Sequence, residues 1–181
     1  MPKVLQCSKE KMLDIARSIL IEKGYDACTM REVASACGVS VGTVYTYFES
    51  KNALVVHAVA ADWFEVLEDA KKKCGSLDEA VDALAQFYDS MKRHAMKYKS
   101  VFLHLSASGT DDVHYRKGAH LLLEQVRSTV SYILAPTQRG DDAALQDFLA
   151  TMLLTYAQKA VAGVDGCDFS QFRPYIVKLL Q

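Results

Sequence analysis

The sequence predicts an all-α protein of about nine helices, with an N-terminal three-helix module and a larger C-terminal helical domain. Three features point there. Apolar residues recur three and four apart along most of the chain, the period of a helix with one buried face. Strand signals are scarce: there is no sustained alternation and no Asn-Gly or Asp-Gly dipeptide between apolar runs. The 181 residues include only three Pro and nine Gly, and several of these stand where helices stop. Half the chain is hydrophobic and 24% is charged, which supports a real core and excludes wholesale disorder.

The elements follow in order. Ser8 is a good N-cap for a first helix whose stripe is Met12, Ile15, Ala16, Ile19 and Leu20, with Gly24 just past its end. Thr29 and Glu32 form a capping box for a second helix that turns Val33, Ala34 and Cys37 inward before Gly38 stops it. Ser40 caps a third, Val41 to Phe48. Ser50 caps a fourth through Leu54, Ala58, Ala61, Phe64 and Leu67, ending in Lys71 to Cys74 before Gly75. A second capping box, Ser76 with Glu79, opens a helix carrying Val81, Leu84, Ala85, Tyr88 and Met91. A shorter helix is expected from Tyr98 to Ala107, stopped by Ser108-Gly109-Thr110, then a long one from Asp112 to Leu134, broken by Pro136 and Gly140. Another spans Asp142 to Val161. After the Gly163–Gly166 turn, the last helix carries Phe169, Phe172, Ile176 and Leu179 or Leu180, with Pro174 early in it.

Two short helices joined by Gly38-Val39-Ser40 have the form of a helix-turn-helix. The second is small at its N-terminus and rich in hydroxyls. Val44 and Phe48 lie four apart and share an inward face, so Thr43, Tyr45, Thr46 and Tyr47 cannot all be buried with them. Gly42 permits close backbone approach, so the stretch from Ser40 to Tyr47 suits entry into a DNA major groove. Ser50 and Lys51 then offer a helix start and a cation for a phosphate.

Residues 42–54, Gly-Thr-Val-Tyr-Thr-Tyr-Phe-Glu-Ser-Lys-Asn-Ala-Leu, resemble the signature of the TetR family of bacterial transcriptional regulators. Gly24-Tyr25, Thr29-x-Arg31-Glu32-Val33-Ala34 and Gly38-Val39-Ser40 are similar to the same family's N-terminal domain. The resemblance covers residues 8–56, close to a third of the chain. It implies an all-α homodimer on a palindromic double-stranded DNA operator. Residues 1–51 would bind DNA, and residues 52–181 would hold a small-molecule effector and the dimer contact. Matched by position, Arg31 falls where a base or backbone contact is made. Ser40, Val41, Gly42 and Thr43 open the recognition helix, and Thr29, Tyr45, Tyr47 and Lys51 fall at phosphate-contacting positions. Thr46 reaches either. Val41 departs from a hydrogen-bonding readout, since it meets only a thymine methyl, which leaves Arg31 and Thr43 to carry more of it. The fourth helix links the two halves, so an effector favouring a tilted state would move the reading helices.

In the C-terminal half, Trp63, Phe87, Tyr88, Met91, Tyr98, Phe102, His104, Tyr115 and His120 mix apolar and polar groups as an effector cavity does. Leu145, Phe148, Leu149, Met152 and Tyr156 take one face of the penultimate helix, while Leu153, Leu154 and Ala157 lie on others. Such a helix must bury more than one face. With Phe172 and Ile176 of the last helix, one face is expected to meet a partner subunit in an isologous four-helix bundle.

Other classes find little support. There is no Gly-x-Ser-x-Gly, no phosphate loop and no His-Glu-x-x-His, and Asp111-Asp112 and Asp141-Asp142 are explained as caps, so no enzyme and no cofactor are expected. None of the five His pairs with another His or Cys at helical spacing, and no metal is expected. The five Cys lack a Cys-x-x-Cys pair and suit buried thiols of a reducing compartment. No apolar run approaches a membrane span or a secretory signal, so the expectation is a soluble cytoplasmic protein without membrane partners. The alternative is a DNA-binding regulator or interaction module with no small-molecule ligand.

The net charge of −1 gives no basic footprint overall. Lys3, Lys9, Lys11, Arg17, Lys23, Arg31 and Lys51 face Glu10, Asp14, Glu22, Asp26, Glu32 and Glu49, so the module itself is barely cationic. Duplex binding should therefore weaken only gently with salt. A measured slope well below the loss of about ten counterions is expected, and a slope of ten or more contradicts it.

Overall fold

The computed structural model describes residues 7–71, 76–107 and 113–181, with side chains omitted at 105–107 and 113–117. Lys3, Lys72 to Gly75 with Cys74, Ser108-Gly109-Thr110, Asp111-Asp112 and the side chains of His114 and Tyr115 lie outside the described residues. Among the described residues there are nine helices and no strand: α1 (Lys9–Glu22), α2 (Met30–Cys37), α3 (Val41–Tyr47), α4 (Lys51–Ala70), α5 (Leu77–Lys97), α6 (Lys99–Ala107), α7 (Val113–Leu134), α8 (Ala143–Val161) and α9 (Phe169–Leu180). The all-α expectation holds. Ser8, Thr29, Ser40, Ser50, Ser76 and Asp142 each accept a backbone N–H of the following turn, as their positions predicted.

The chain forms two compact units, one ending at Asp62 and one from Trp63 to Gln181. The division falls inside α4 rather than after residue 51. The reason is packing: Leu54, Val55 and Ala58 are buried and His57 stacks on Phe48 at 5.9 Å. Arg17 of α1 pairs with Asp62 of α4 at 3.3 Å and also with Asp14. The inward stripe of α4 differs from expectation too. Trp63 and Leu67 are buried, whereas Ala61 and Phe64 face outward: at about 100° per residue Trp63 and Leu67 lie on the side of the helix opposite Leu54 and Ala58, so the buried side changes along α4.

The first unit centres on Met12, Ala16, Leu20, Cys28, Val33, Ala34, Val44, Phe48 and Leu54; Ile15 is only half-buried. In the second unit α5 lies at the middle, packed against α7, α8 and α9, with α7 also on α8. Its core includes Leu84, Phe87, Tyr88, Val130, Ile133, Leu149, Leu153 and Ile176. Three polar links fasten the C-terminal segment to α5: Arg173 to Asp82 at 2.7 Å, Lys92 to Asp168 at 2.6 Å, and the Tyr88 hydroxyl donating to the Cys167 carbonyl. Burial pushes the Tyr88 phenol up, which keeps it a donor.

Two details depart from the sequence. Gly140 is needed for close approach, since a Cβ there would meet the Leu134 carbonyl oxygen at 2.9 Å. Pro174 lies beyond the first turn of α9, so it deletes the N–H that would reach the Ser170 carbonyl; both residues are exposed, and solvent can satisfy that oxygen.

Tyr88→Phe leaves the Cys167 carbonyl without its buried donor. It should lower unfolding stability by about 1 kcal/mol, read as a lower denaturation midpoint at unchanged slope in urea.

Candidate nucleic-acid interface

Two caps and one turn build the segment. The Thr29 hydroxyl accepts the Glu32 N–H at 3.1 Å and fixes the start of α2. Gly38, at φ 67°, ends α2 in the left-handed region that glycine adopts without strain. Ser40 then accepts the Thr43 N–H at 3.1 Å and starts α3. α2 packs against α3. Met30, Val33, Ala34 and Cys37 bury one side of α2, and Val44 with Phe48 buries one side of α3.

The rest of that surface faces solvent. Thr29, Arg31, Ser40, Gly42, Tyr45, Thr46 and Tyr47 are exposed, and Val41 and Thr43 half-buried. The two tyrosines are 53% and 46% exposed, so neither fills the core of the module. The hydroxyls are engaged locally. Thr46 donates to the Gly42 carbonyl at 3.0 Å, and the Ser40 and Thr43 hydroxyls lie 2.9 Å apart. Lys23 sits 3.5 Å from Glu32.

Lys51, expected at a phosphate-contacting position, has local partners. Its ammonium lies 3.9 Å from the Tyr25 ring centre and donates to the Asp26 carbonyl at 3.4 Å. Tyr25 in turn donates to Asn52 at 2.5 Å. Burial raises the Tyr25 phenol above its ordinary value, which preserves that donor. This clasp ties the α1–α2 loop to the start of α4. No local pattern announces it, because Tyr25 and Asn52 are 27 residues apart. Cys37, at the end of α2, is similarly inert: burial and a hydrogen bond with Cys7 push its thiol up to about 12.

Residues 12–58, which hold the caps, the turn and both short helices, match the family model of bacterial regulatory proteins, tetR family. This module is similar to the N-terminal domain of the TetR family. Among curated relatives it is similar to the HTH-type transcriptional regulator UidR of Escherichia coli K12, 25% identical over 104 residues, which are 58% of this chain and 53% of UidR. It is also similar to the HTH-type transcriptional repressor KstR of Rhodococcus jostii RHA1, 30% identical over 110 residues, covering 58% of this chain and 52% of KstR. The chain spans about half the length of these relatives that it matches. Over nearly its full length it shares the fold of FadR from Thermus thermophilus, a TetR-family repressor solved in complex with lauroyl-CoA. The TM-score is 0.65 and the identity 20%, over 96% of this chain and 93% of that one.

In the second unit, the residues expected to line an effector cavity divide. Phe87, Tyr88, Met91 and Tyr98 are core side chains, fully or almost fully buried. Tyr88 is committed to Phe169, Phe172 and Cys167, so packing at helical spacing explains it better than a ligand does. Trp63 is buried and donates to Gln125 at 2.9 Å. His94, which the sequence gave no reason to select, is buried between the rings of Trp63 at 5.5 Å and Tyr98 at 5.1 Å. Phe102 is half-buried at 6.3 Å from His94, while His104 and His120 are exposed.

The dimer candidates divide as well. Leu145 and Leu149 are buried in the unit's own core, whereas Phe172 and Ile176, also largely buried, form part of the wall of a surface groove. The cause is the helical period: Leu145, Leu149, Leu153 and Ala157 form the inward stripe of α8, and Phe148, Met152 and Tyr156 lie one residue round from it. Phe148 is 55% exposed. An open, mostly apolar groove of about 630 Å³ runs along α8 and α9, lined by Phe148, Thr151, Met152, Tyr156, Tyr175 and Leu179, with Phe172 and Ile176 also in its wall.

Ser40→Ala removes the α3 cap and should cost about 1 kcal/mol in chemical denaturation. Arg31→Ala, on an exposed position, should stay within about 0.5 kcal/mol of the parent.

Proposed function

We propose that this chain is a TetR-type transcriptional regulator, a repressor that binds a palindromic DNA operator as a homodimer in the cytoplasm and is released by a small molecule. The observation that carries the DNA-binding reading is the two-sided α3: Val44 and Phe48 anchor it, and Gly42, Tyr45, Thr46 and Tyr47 stand outside. A helix of that kind, preceded by a tight turn, fits a major groove. Exposed tyrosines at its end suit phosphates, which position without specifying sequence. Helix starts and hydroxyls supply contacts where net charge supplies few.

The α8–α9 groove supports the homodimer. Its exposed Phe148, Tyr175 and Leu179 form an apolar face at one side of the second unit, and a second copy applied there would bury the same residues from both sides. Two copies present two α3 helices, as a palindromic site with half-sites about one turn apart requires.

The effector to test first is a long-chain acyl-CoA, because a fold neighbour of nearly full coverage was solved with lauroyl-CoA. An acyl chain needs an apolar lining with a few polar groups, and the second unit brings Trp63, His94, Tyr98, Phe102 and Gln125 together in that mixture. Release follows if the effector prefers a state that DNA does not, and the loss of affinity equals its preference between the two.

Selection of bound fragments from random duplex DNA tests the partner and the symmetry together: an inverted repeat is expected, and no enrichment refutes the DNA-binding reading. Phe148→Asp should yield a folded monomer by sedimentation, with operator affinity reduced at least tenfold. Lauroyl-CoA should raise the thermal midpoint and weaken operator binding by roughly 5- to 150-fold; a protein that binds DNA but ignores every metabolite tested is a regulator without a small ligand.

A further inference from the structure

Cys7, Cys28, Cys37 and Cys167 are all buried free thiols, but they are not held alike. Cys28 donates to the Ala16 carbonyl and Cys167 to the Asp165 carbonyl, each at 3.9 Å. Cys7 and Cys37 meet each other instead, joined by a hydrogen bond between their sulfurs. The fold brings this about. Cys7 stands one residue before Ser8, the N-cap of α1, and Cys37 is the last residue of α2. The two helices pack together. Burial and the Cys7 contact hold the proton on Cys37, and the Lys11 ammonium of the first α1 turn pulls the other way, so the start of α1 lies against the end of α2. The two sulfurs are 5% and 9% exposed, which favours a small oxidant over a bulky one.

Alone, Cys37 is a poor nucleophile because it keeps its proton. In a pair it has to act only second. A hydroperoxide oxidises the Cys7 sulfur to a sulfenic acid, its O–O bond breaks, and the other oxygen leaves as water or an alcohol. The Cys37 sulfur then attacks the sulfenic sulfur. The S–S bond forms, the S–O bond breaks, and the Cys37 proton departs with the hydroxyl as water. With hydrogen peroxide the sum is two thiols and one peroxide giving one disulfide and two waters. The two electrons lost by the sulfurs reduce the peroxide. The Lys11 ammonium favours negative charge on the attacking sulfur.

Such a bond would tie the end of α2 to the start of α1. Gly38 follows Cys37 directly and turns the chain toward Ser40 and α3. A shift at Cys37 therefore passes through a three-residue turn to the exposed face of α3.

We propose that Cys7 and Cys37 form a peroxide-sensitive thiol pair and, resting on the DNA-binding reading above, that their disulfide reversibly weakens duplex binding.

The test uses the full chain, reduced and then treated with hydrogen peroxide. Thiols titrated after denaturation should fall from five to three, with a mass loss of two hydrogens and a peptide map that joins Cys7 to Cys37. Affinity for a duplex selected from random DNA by the reduced protein should fall about tenfold or more, and dithiothreitol should restore it. Cys7→Ala and Cys37→Ala should bind as the reduced parent does before and after peroxide, whereas Cys167→Ala should stay sensitive. Should either of the first two variants be unfolded by circular dichroism, the map and the dithiothreitol cycle of the parent decide. An unchanged count of five thiols, sulfinic acid on one cysteine without pairing, or a link between other cysteines overturns the pair. A Cys7–Cys37 link that leaves duplex affinity unchanged overturns the switch. Failure of the reduced parent to select any duplex removes the DNA-binding reading and the switch with it, while the thiol count and the map still decide the pair.

Discussion

The burial of Val44 and Phe48 is the constraint on which the candidate interface depends. α3 has seven residues, too few to persist as a helix in water by its own hydrogen bonds. What holds it is the pair of apolar side chains one turn apart, set into the core formed by α1, α2 and the first part of α4, together with the Ser40 cap. Once that face is fixed, the helical period leaves no choice about the others. Gly42, Tyr45, Thr46 and Tyr47 must point away. The same packing sets where the first unit ends, because Leu54, Val55 and Ala58 of α4 are buried in it and the Arg17–Asp62 pair closes its far side.

The second unit is organised around α5, and its polar groups serve mainly to hold the C-terminal segment in place. Asp82, Tyr88 and Lys92 of α5 hold Arg173 of α9, the Cys167 carbonyl and Asp168 at three points along the helix. Exposed pairs of this kind contribute little individually, but the buried Tyr88 link is costly to break. With α9 fixed, its outer side and that of α8 present Phe148, Tyr175 and Leu179 to solvent. An apolar face on an otherwise polar surface is what a self-complementary contact uses.

Charge plays a smaller part than in a basic DNA-binding module. Most cations of the first unit are near an acid or an aromatic ring: Arg17 between two aspartates, Lys23 beside Glu32, Lys51 over Tyr25, Lys9 over Phe48. Lys11 and Arg31 are both exposed and have no such neighbour among the described residues. The first unit therefore presents hydroxyls and few uncommitted cations rather than a positive field.

The sequence alone determined the helices, the caps and the turn, because these rest on neighbours three or four residues away. Thr29 with Glu32, Gly38, and Ser40 with Thr43 are local devices, and so is the inward pair Val44 and Phe48. It also determined that α8 has more than one apolar face. Only the tertiary structure decided which apolar residues go where, since periodicity defines a face but not its partner. Leu145 and Leu149 went to the unit's own core and Phe148 to the outside; Phe64 rotated away from the stripe it was assigned; Tyr88 became a packed core donor. Contacts between residues far apart in the chain, such as Lys51 on Tyr25 and His94 between Trp63 and Tyr98, leave no local signature, because they arise when separate helices meet.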